Sequence, residues 1–244
     1  MPADYFLLAG IAFFGSIIFG ATGFGAALVA IPIATHFVPL KFALALFALA
    51  DIANSFSVGL EKPKNAARGE YLRLVPMILA GTVAGVTVLV NLPRVAGMLL
   101  LGGFVIAYAI YALLRHPESQ RVIAQGWAWV AGFIGGVTSA LFGAGGPPYV
   151  IYLSQRGLSK EAFRATLGLV TMTSISVRVI AFFVTGVLLD AQVWLAAALA
   201  VPAALAGIAV GRRIFLKVSK EQLMRAVAVL LLGSGGSLVF RALH

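Results

Sequence analysis

Phe142-Gly143-Ala144-Gly145-Gly146-Pro147-Pro148 sits inside a long apolar run, and so does a near copy 123 positions earlier, Phe19-Gly20-Ala21-Thr22-Gly23-Phe24-Gly25. At that offset Ser16/Ser139, Phe19/Phe142, Gly20/Gly143, Ala21/Ala144 and Gly23/Gly146 coincide. Glycine and proline at this density break a helix. A break inside a membrane leaves backbone N–H groups where no water can satisfy them, so it survives where protein or a polar cavity surrounds it. Transporters use such interrupted helices as binding sites.

Working outward, the flanking sequence is that of an integral membrane protein. Hydrophobic residues make up 61% of the 244 positions and charged residues 11%, against about 25% charged in soluble domains. Mean hydropathy is +1.02. The net charge of +10 does not point to nucleic acid, because the basic residues fall in short loops between apolar runs, where they act as topology signals. There is no cysteine, which excludes disulfides and thiolate chemistry. The N-terminal residues lack the basic stretch of a signal peptide, so the N-terminus is expected to be retained.

The apolar runs at about 5–34 and 125–153 are interrupted by the two glycine motifs. Unbroken spans are expected at about 40–60, 72–91, 95–114, 164–188, 191–211 and 222–243. The halves repeat: Phe42/Phe163, Leu46/Leu167 and Ser55/Ser176 match at offset 121, and Gly81/Gly207, Gly85/Gly211 and Met98/Met224 at offset 126. The expected organisation is therefore a first transmembrane repeat over 1–120 and a second over 121–244. If both interrupted runs cross the membrane, eight kinked helices in a 4+4 arrangement result, and seven Lys/Arg face ten. If each is a re-entrant hairpin, the loops at 61–73, 115–121, 154–164 and 212–225 share one side and hold fourteen Lys/Arg, against Lys41, Arg94 and Arg241 on the other. The second count fits the positive-inside rule. It makes the fold all-α, with two inverted repeats, each a broken hairpin plus three transmembrane helices. Limbs of roughly 10–16 residues would reach the middle of the hydrocarbon layer. The readings differ at the loop around 157, which lies with the loop around 65 in the hairpin form and opposite it in the other.

In the hairpin form the second limbs begin near Phe24-Gly25 and Pro147-Pro148, and both helix N-termini point inward. Free N–H groups and the helix dipole make such ends suited to an anion. The expected substrate-binding set is Thr22, Gly23, Phe24, Gly25, Ser139, Gly145, Gly146, Pro147 and Arg178. Thr138 and Ser16 are further hydroxyl candidates, each with the alternative of a bond to a carbonyl one turn back. Arg178 lies well inside a span beside Thr171, Thr173, Ser174 and Ser176, and is expected to face a cavity or a partner. It either grips an anion or pairs with Asp51. Asp51 and its face-mate Asn54 are ion-pair or coupling candidates. Gly81, Gly85, Gly207 and Gly211 are read as helix-packing glycines, and Tyr149 and Tyr152 as packing residues. His36, His116 and His244 are scattered, so no metal site is expected. With no nucleotide or hydrolase motif present, the chain is expected not to be an enzyme and to need no cofactor.

With Gly132-Phe133-Ile134-Gly135-Gly136, Leu141 through Pro148, Arg156-Gly157-Leu158 and Phe163-Arg164-Ala165-Thr166 in view, the chain resembles the TauE/SafE family of sulfite and organosulfonate exporters. Gly23-Phe24-Gly25 stands where that family often has a glycine triplet. The resemblance implies a multi-pass bacterial inner-membrane transporter of a small sulfur-containing anion. The expected mechanism is secondary transport by alternating access, with the site at the midplane between the two breaks. A passive anion channel or a non-transporting scaffold are the alternatives. Expected partners are the small anionic substrate, the lipid bilayer and protons as a coupling ion, with no nucleic acid. A homo-oligomer is compatible with the sequence.

Overall fold

The structure is a computed structural model describing residues 2–60, 63–114, 122–215 and 220–243; for 2–3, 214–215 and 220–226 it describes the backbone alone. Among these described residues ten α-helices follow in order: α1 (Pro2–Thr22), α2 (Ala26–Ala34), α3 (Leu40–Gly59), α4 (Arg68–Asn91), α5 (Arg94–Leu114), α6 (Trp127–Phe142), α7 (Gly146–Ser154), α8 (Lys160–Val184), α9 (Ala191–Phe215) and α10 (Lys220–Leu243). There is no strand among the described residues. The protein is an all-α membrane protein, and α1, α3, α4, α5, α8 and α9 are each long and apolar enough to cross a bilayer. The loop at 115–121, with Arg115, His116 and Arg121, lies outside the described residues, as does His244.

Both glycine motifs break their helices. Gly23 and Gly25 take φ of 83° and 93°, and Gly143 takes 67°, a region open to glycine at little steric cost. At the second break Gly143 N–H donates to Ser139 O (2.9 Å) and Ala144 N–H to Thr138 O (3.1 Å), the paired closure that satisfies the last carbonyls of α6. After each break the chain folds back. Gly15 of α1 lies against Ala26 and Ala30 of α2, and Gly135 of α6 lies against the Tyr149 ring of α7. The limbs are unequal. α1 has 21 residues and α6 has 16, whereas α2 and α7 have nine each. So α1, about 31 Å long, exceeds the limb length expected from the sequence, and the returning limbs are shorter. α1 and α6 end at the breaks, and α2 and α7 begin there.

Each broken helix packs most extensively on a helix from the other half: α1 on α9, and α6 on α4. Glycines permit this. A Cβ on Gly81 would collide with Phe133 O, and one on Gly85 would sit 2.8 Å from Val137 O. A Cβ on Gly207 would collide with Phe13 O, and one on Gly211 with Ile17 O. Backbone-to-backbone approach of this kind supplies the dispersion contact that holds helices together in lipid. Between these two pairs, α3 and α8 cross antiparallel, with Gly59 against Gly168 and Met172.

Polar contacts at the ends sort the loops. Ala67 N–H donates to Thr166 Oγ1 (2.8 Å), Arg156 pairs with Glu70 (2.9 Å), and Arg212 donates to Ser57 O (2.9 Å). The turn at Pro63–Asn65 and the loop around Gly157 therefore stand at the same end of the bundle. At the opposite end Lys41 donates to Val90 O (2.9 Å), and Arg241 bonds the His36 Nδ1 (2.8 Å). Arg241 can only donate, so the His36 Nδ1 is the acceptor in this bond; burial and then the Arg241 charge lower the His36 pKa.

Replacing Gly207 with Val is expected to lower the thermal unfolding temperature in detergent sharply, since Phe13 backbone blocks the new side chain. Gly103→Ala, where nothing lies within 4 Å, is expected to be neutral or stabilising by about 0.5–1 kcal/mol. Equal effects at the two positions would refute the packing role of Gly207.

Candidate functional site

The two breaks meet. Phe24, between the two left-handed glycines of the first motif, packs against Gly146, where a Cβ would fall 2.6 Å from its ring. Gly143 of the second break lies equally close to Ala27 and Ile31 of α2. Between them is a narrow cavity of about 20 Å³, lined by Phe19, Phe24, Gly25, Ala26, Ala27, Asp51, Ser139, Gly143, Gly145, Gly146, Tyr149, Thr171, Ser174 and Ile175. It holds about one water.

The first turns of α2 and α7 both border this cavity. Their N-cap residues, Gly25 and Gly145, have no side chain to cap the helix. The first four N–H groups of a helix have no intrahelical acceptor. In α2 these belong to Gly25, Ala26, Ala27 and Leu28, and the first three line the cavity. In α7 Pro147 and Pro148 carry no N–H, so the set reduces to Gly145 and Gly146, both on the cavity wall. Proline in the first turn thus removes two donors that would otherwise need partners.

Behind the wall is a buried ion pair. Arg178 Nη2 donates to Asp51 Oδ2 (2.9 Å) and Nη1 to Ser139 O (3.1 Å). Arg178 is fully buried and Asp51 nearly so. Asp51 lines the cavity, but Arg178 does not, although its Nη1 approaches Gly143. Arg178 Nε has no partner. Of the two roles open to Arg178 in the sequence, the geometry places it in the Asp51 pair. The pair is neutral overall, which makes burial affordable only because each charge is hydrogen-bonded.

Glycine spacing sets the ring of Tyr149. Gly132 and Gly136 face α4, at Leu74 O and Ile78 O, while Gly135 faces the ring. Gly145 covers its other edge. The ring is fully buried, and its hydroxyl meets Ser174 Oγ at 2.9 Å. One turn on, Tyr152 donates to Glu70, which also accepts from Arg156 Nε (3.0 Å) and Arg73 (3.4 Å). Arg156 further donates to Ile123 O. Its hydrogen bond from the guanidinium to Glu70 raises the Arg156 pKa. This cluster fixes the far end of α7 to α4.

A family model described as sulfite exporter TauE/SafE matches residues 8–238. The chain belongs to the TauE/SafE family. A probable sulfite/organosulfonate exporter TauE from Cupriavidus necator is 28% identical over 227 residues, covering 91% of this chain and 88% of the relative. A probable inner membrane transporter protein TsaS from Comamonas testosteroni is 28% identical over 166 residues, covering 68% and 69%. No solved structure matches. The TauE/SafE family is named for export rather than for a catalysed reaction.

Within this TauE/SafE chain, Phe24, Gly25, Ser139, Gly145, Gly146 and Asp51 come together on the cavity wall. The other residues expected at the site are, like Arg178, not on this wall. Thr22 Oγ1 donates to Ile18 O (2.9 Å) and Phe24 O (2.6 Å), closing its own turn. Gly23 and Pro147 are not on the wall. Asn54 donates to Ser16 Oγ (2.8 Å), leaving its Oδ1 without a partner. Thr138 bonds back to Ile134 O (2.9 Å). Tyr149, read from the sequence as packing, lines the cavity, as do Thr171 and Ser174. Their signal was present in the polarity of α8 around Arg178, but which hydroxyl faces inward needs the helix rotation.

Truncating one partner of the buried pair strands the other charge, so Asp51→Ala or Arg178→Ala is expected to cost about 3–5 kcal/mol each. The double variant Asp51→Ala/Arg178→Ala should lose much less than the sum of the two singles, as read by thermal unfolding. Simple additivity would show that the two do not act as a pair.

Proposed function

We propose that this protein carries a small sulfur oxyanion, sulfite or a small sulfonate, across the bacterial inner membrane as a secondary transporter. The observation that carries the reading is the convergence of two uncapped helix N-termini on one buried cavity. Five backbone N–H groups there lack intrahelical acceptors, and an anion would supply them. The names of the two relatives, an organosulfonate exporter and an inner membrane transporter, support the substrate class and the location.

The proposed architecture is two inverted repeats, 1–120 and 121–244, each a re-entrant hairpin plus three spans. The fold-back of α2 on α1 and α7 on α6 supports it, as does the reciprocal packing of α1 on α9 and α6 on α4. Transport then proceeds by rocking of the hairpins against the α3–α8 core, with the narrow cavity as the closed intermediate. Asp51 would provide coupling. Protonating Asp51 would leave the Arg178 charge without its counterion beside the cavity, which favours entry of an anion, so anion and proton would move together.

Liposomes containing the protein are expected to show saturable sulfite or methanesulfonate flux with counterflow, faster under an inward proton gradient. Asp51→Asn should abolish that pH dependence. Linear, non-saturating conductance would support a channel instead, and no flux with no binding heat would overturn the transport reading. Cysteines placed at Asn65 and Lys160 are expected to label from the same side of the membrane and one at Asn91 from the other. Labelling of 65 and 160 from opposite sides would refute the hairpins.

A further inference from the structure

We infer that Thr171, with Ser174 and Tyr149, forms a hydroxyl wall that recognises the oxygens of the carried anion. The inference rests on the anion-site reading above and names the residues of α8 that give it selectivity for oxyanions.

Thr171 stands out by what its hydroxyl does not do. A threonine in a helix commonly returns its hydroxyl to the carbonyl four residues back. Thr22, Thr87, Thr138, Thr166 and Thr185 all do so here, as do Ser57 and Ser176. Thr171 is buried, lines the cavity, and its Oγ1 has no partner. A buried polar atom left unmatched is costly, so its persistence calls for an occupant. Thr82 is also unpartnered, but it packs against Gly136 at the α4–α6 contact and is not on the cavity wall.

Ser174 is three residues further along α8 and so shares its face with Thr171. Its hydroxyl is likewise turned away from its own helix, to Tyr149 (2.9 Å). That bond leaves one of the two hydroxyl hydrogens uncommitted, since either oxygen can be the donor. The cavity therefore has two chemically distinct walls. The helix tips offer backbone N–H groups, which only donate. The α8 face offers hydroxyls, which donate or accept and rotate to suit. The cavity as it stands admits about one water; once the breaks part, a head group with three oxygens, –SO₃⁻ or HSO₃⁻, can use both walls at once, and the hydroxyls can also accept from the protonated form. Thiocyanate, a linear anion with one strong acceptor at nitrogen and a weak one at sulfur, has no set of oxygens to offer both walls.

The test measures calorimetric binding of methanesulfonate, sulfite and thiocyanate to purified full-length protein, with thermal unfolding alongside. Thr171→Val keeps the shape and removes the hydroxyl. It is expected to weaken methanesulfonate and sulfite binding about tenfold, the effect of one hydrogen bond lost, with little change for thiocyanate. Thr171→Ser should retain wild-type affinity, and Ser174→Ala should weaken the oxyanions in the same way. Unchanged oxyanion affinity in Thr171→Val would overturn the hydroxyl wall while leaving the helix-tip site standing. Equal losses in Thr171→Ser and Thr171→Val would overturn it as well, since packing would then be the cause. If the wild-type protein binds none of the three, the anion-site reading fails and the inference with it.

Discussion

Backbone hydrogen bonding governs this structure. A chain with 61% hydrophobic residues cannot leave peptide groups exposed to lipid. Each helix that stops short of the membrane surface must hide its end inside protein. The four limbs α1, α2, α6 and α7 have their broken ends stacked against one another, Phe24 on Gly146 and Gly143 on Ala27. α2 is buried within the bundle, whereas α1 and α6 each keep an exposed apolar face. The site is thus the place where the fold's obligatory interruption is sheltered, and the free N–H groups come with it.

Electrostatics adds a constraint of a different kind. The Asp51–Arg178 pair joins α3 to α8 across the centre of the bundle at 2.9 Å. Its positive member is tied to an acid and to the Ser139 carbonyl, so it does not present a bare charge to the cavity. In the proposed transport, with the pair intact, the attraction for an anion would come from backbone and hydroxyl dipoles, which favour an anion that can accept many hydrogen bonds.

Small residues make these approaches feasible. Gly81, Gly85, Gly207 and Gly211 bring α4 and α9 onto the partner backbones, while Gly135 and Gly145 make room for Tyr149. The Glu70–Arg156–Tyr152 cluster then anchors α7 at its other end. The position of the Tyr149 hydroxyl follows from both: glycine contacts place the ring, and the ionic cluster holds the helix that carries it.

Much of this was legible in the residues. Apolar length specified five of the six long spans, α3, α4, α5, α8 and α9, but not the full span length of α1; glycine–proline density specified the two breaks, and the glycine spacing on α4 and α9 specified packing faces. These are local properties, set by backbone sterics and by lipid as solvent. The resemblance carried by Gly132–Gly136 and Leu141–Pro148 named the family. Three-dimensional packing decided the rest. Whether Arg178 met Asp51, whether Thr22 turned inward to its own helix, and which of the α8 hydroxyls faced the cavity all depend on helix rotation. So does the burial of Glu70, which reads as a loop residue until α7 brings Arg156 and Tyr152 to it. Sequence periodicity assigns residues to a helix and a face. Only contacts between helices far apart in the chain determine what that face meets, because each such contact is fixed by the joint packing of several helices and by no one segment alone.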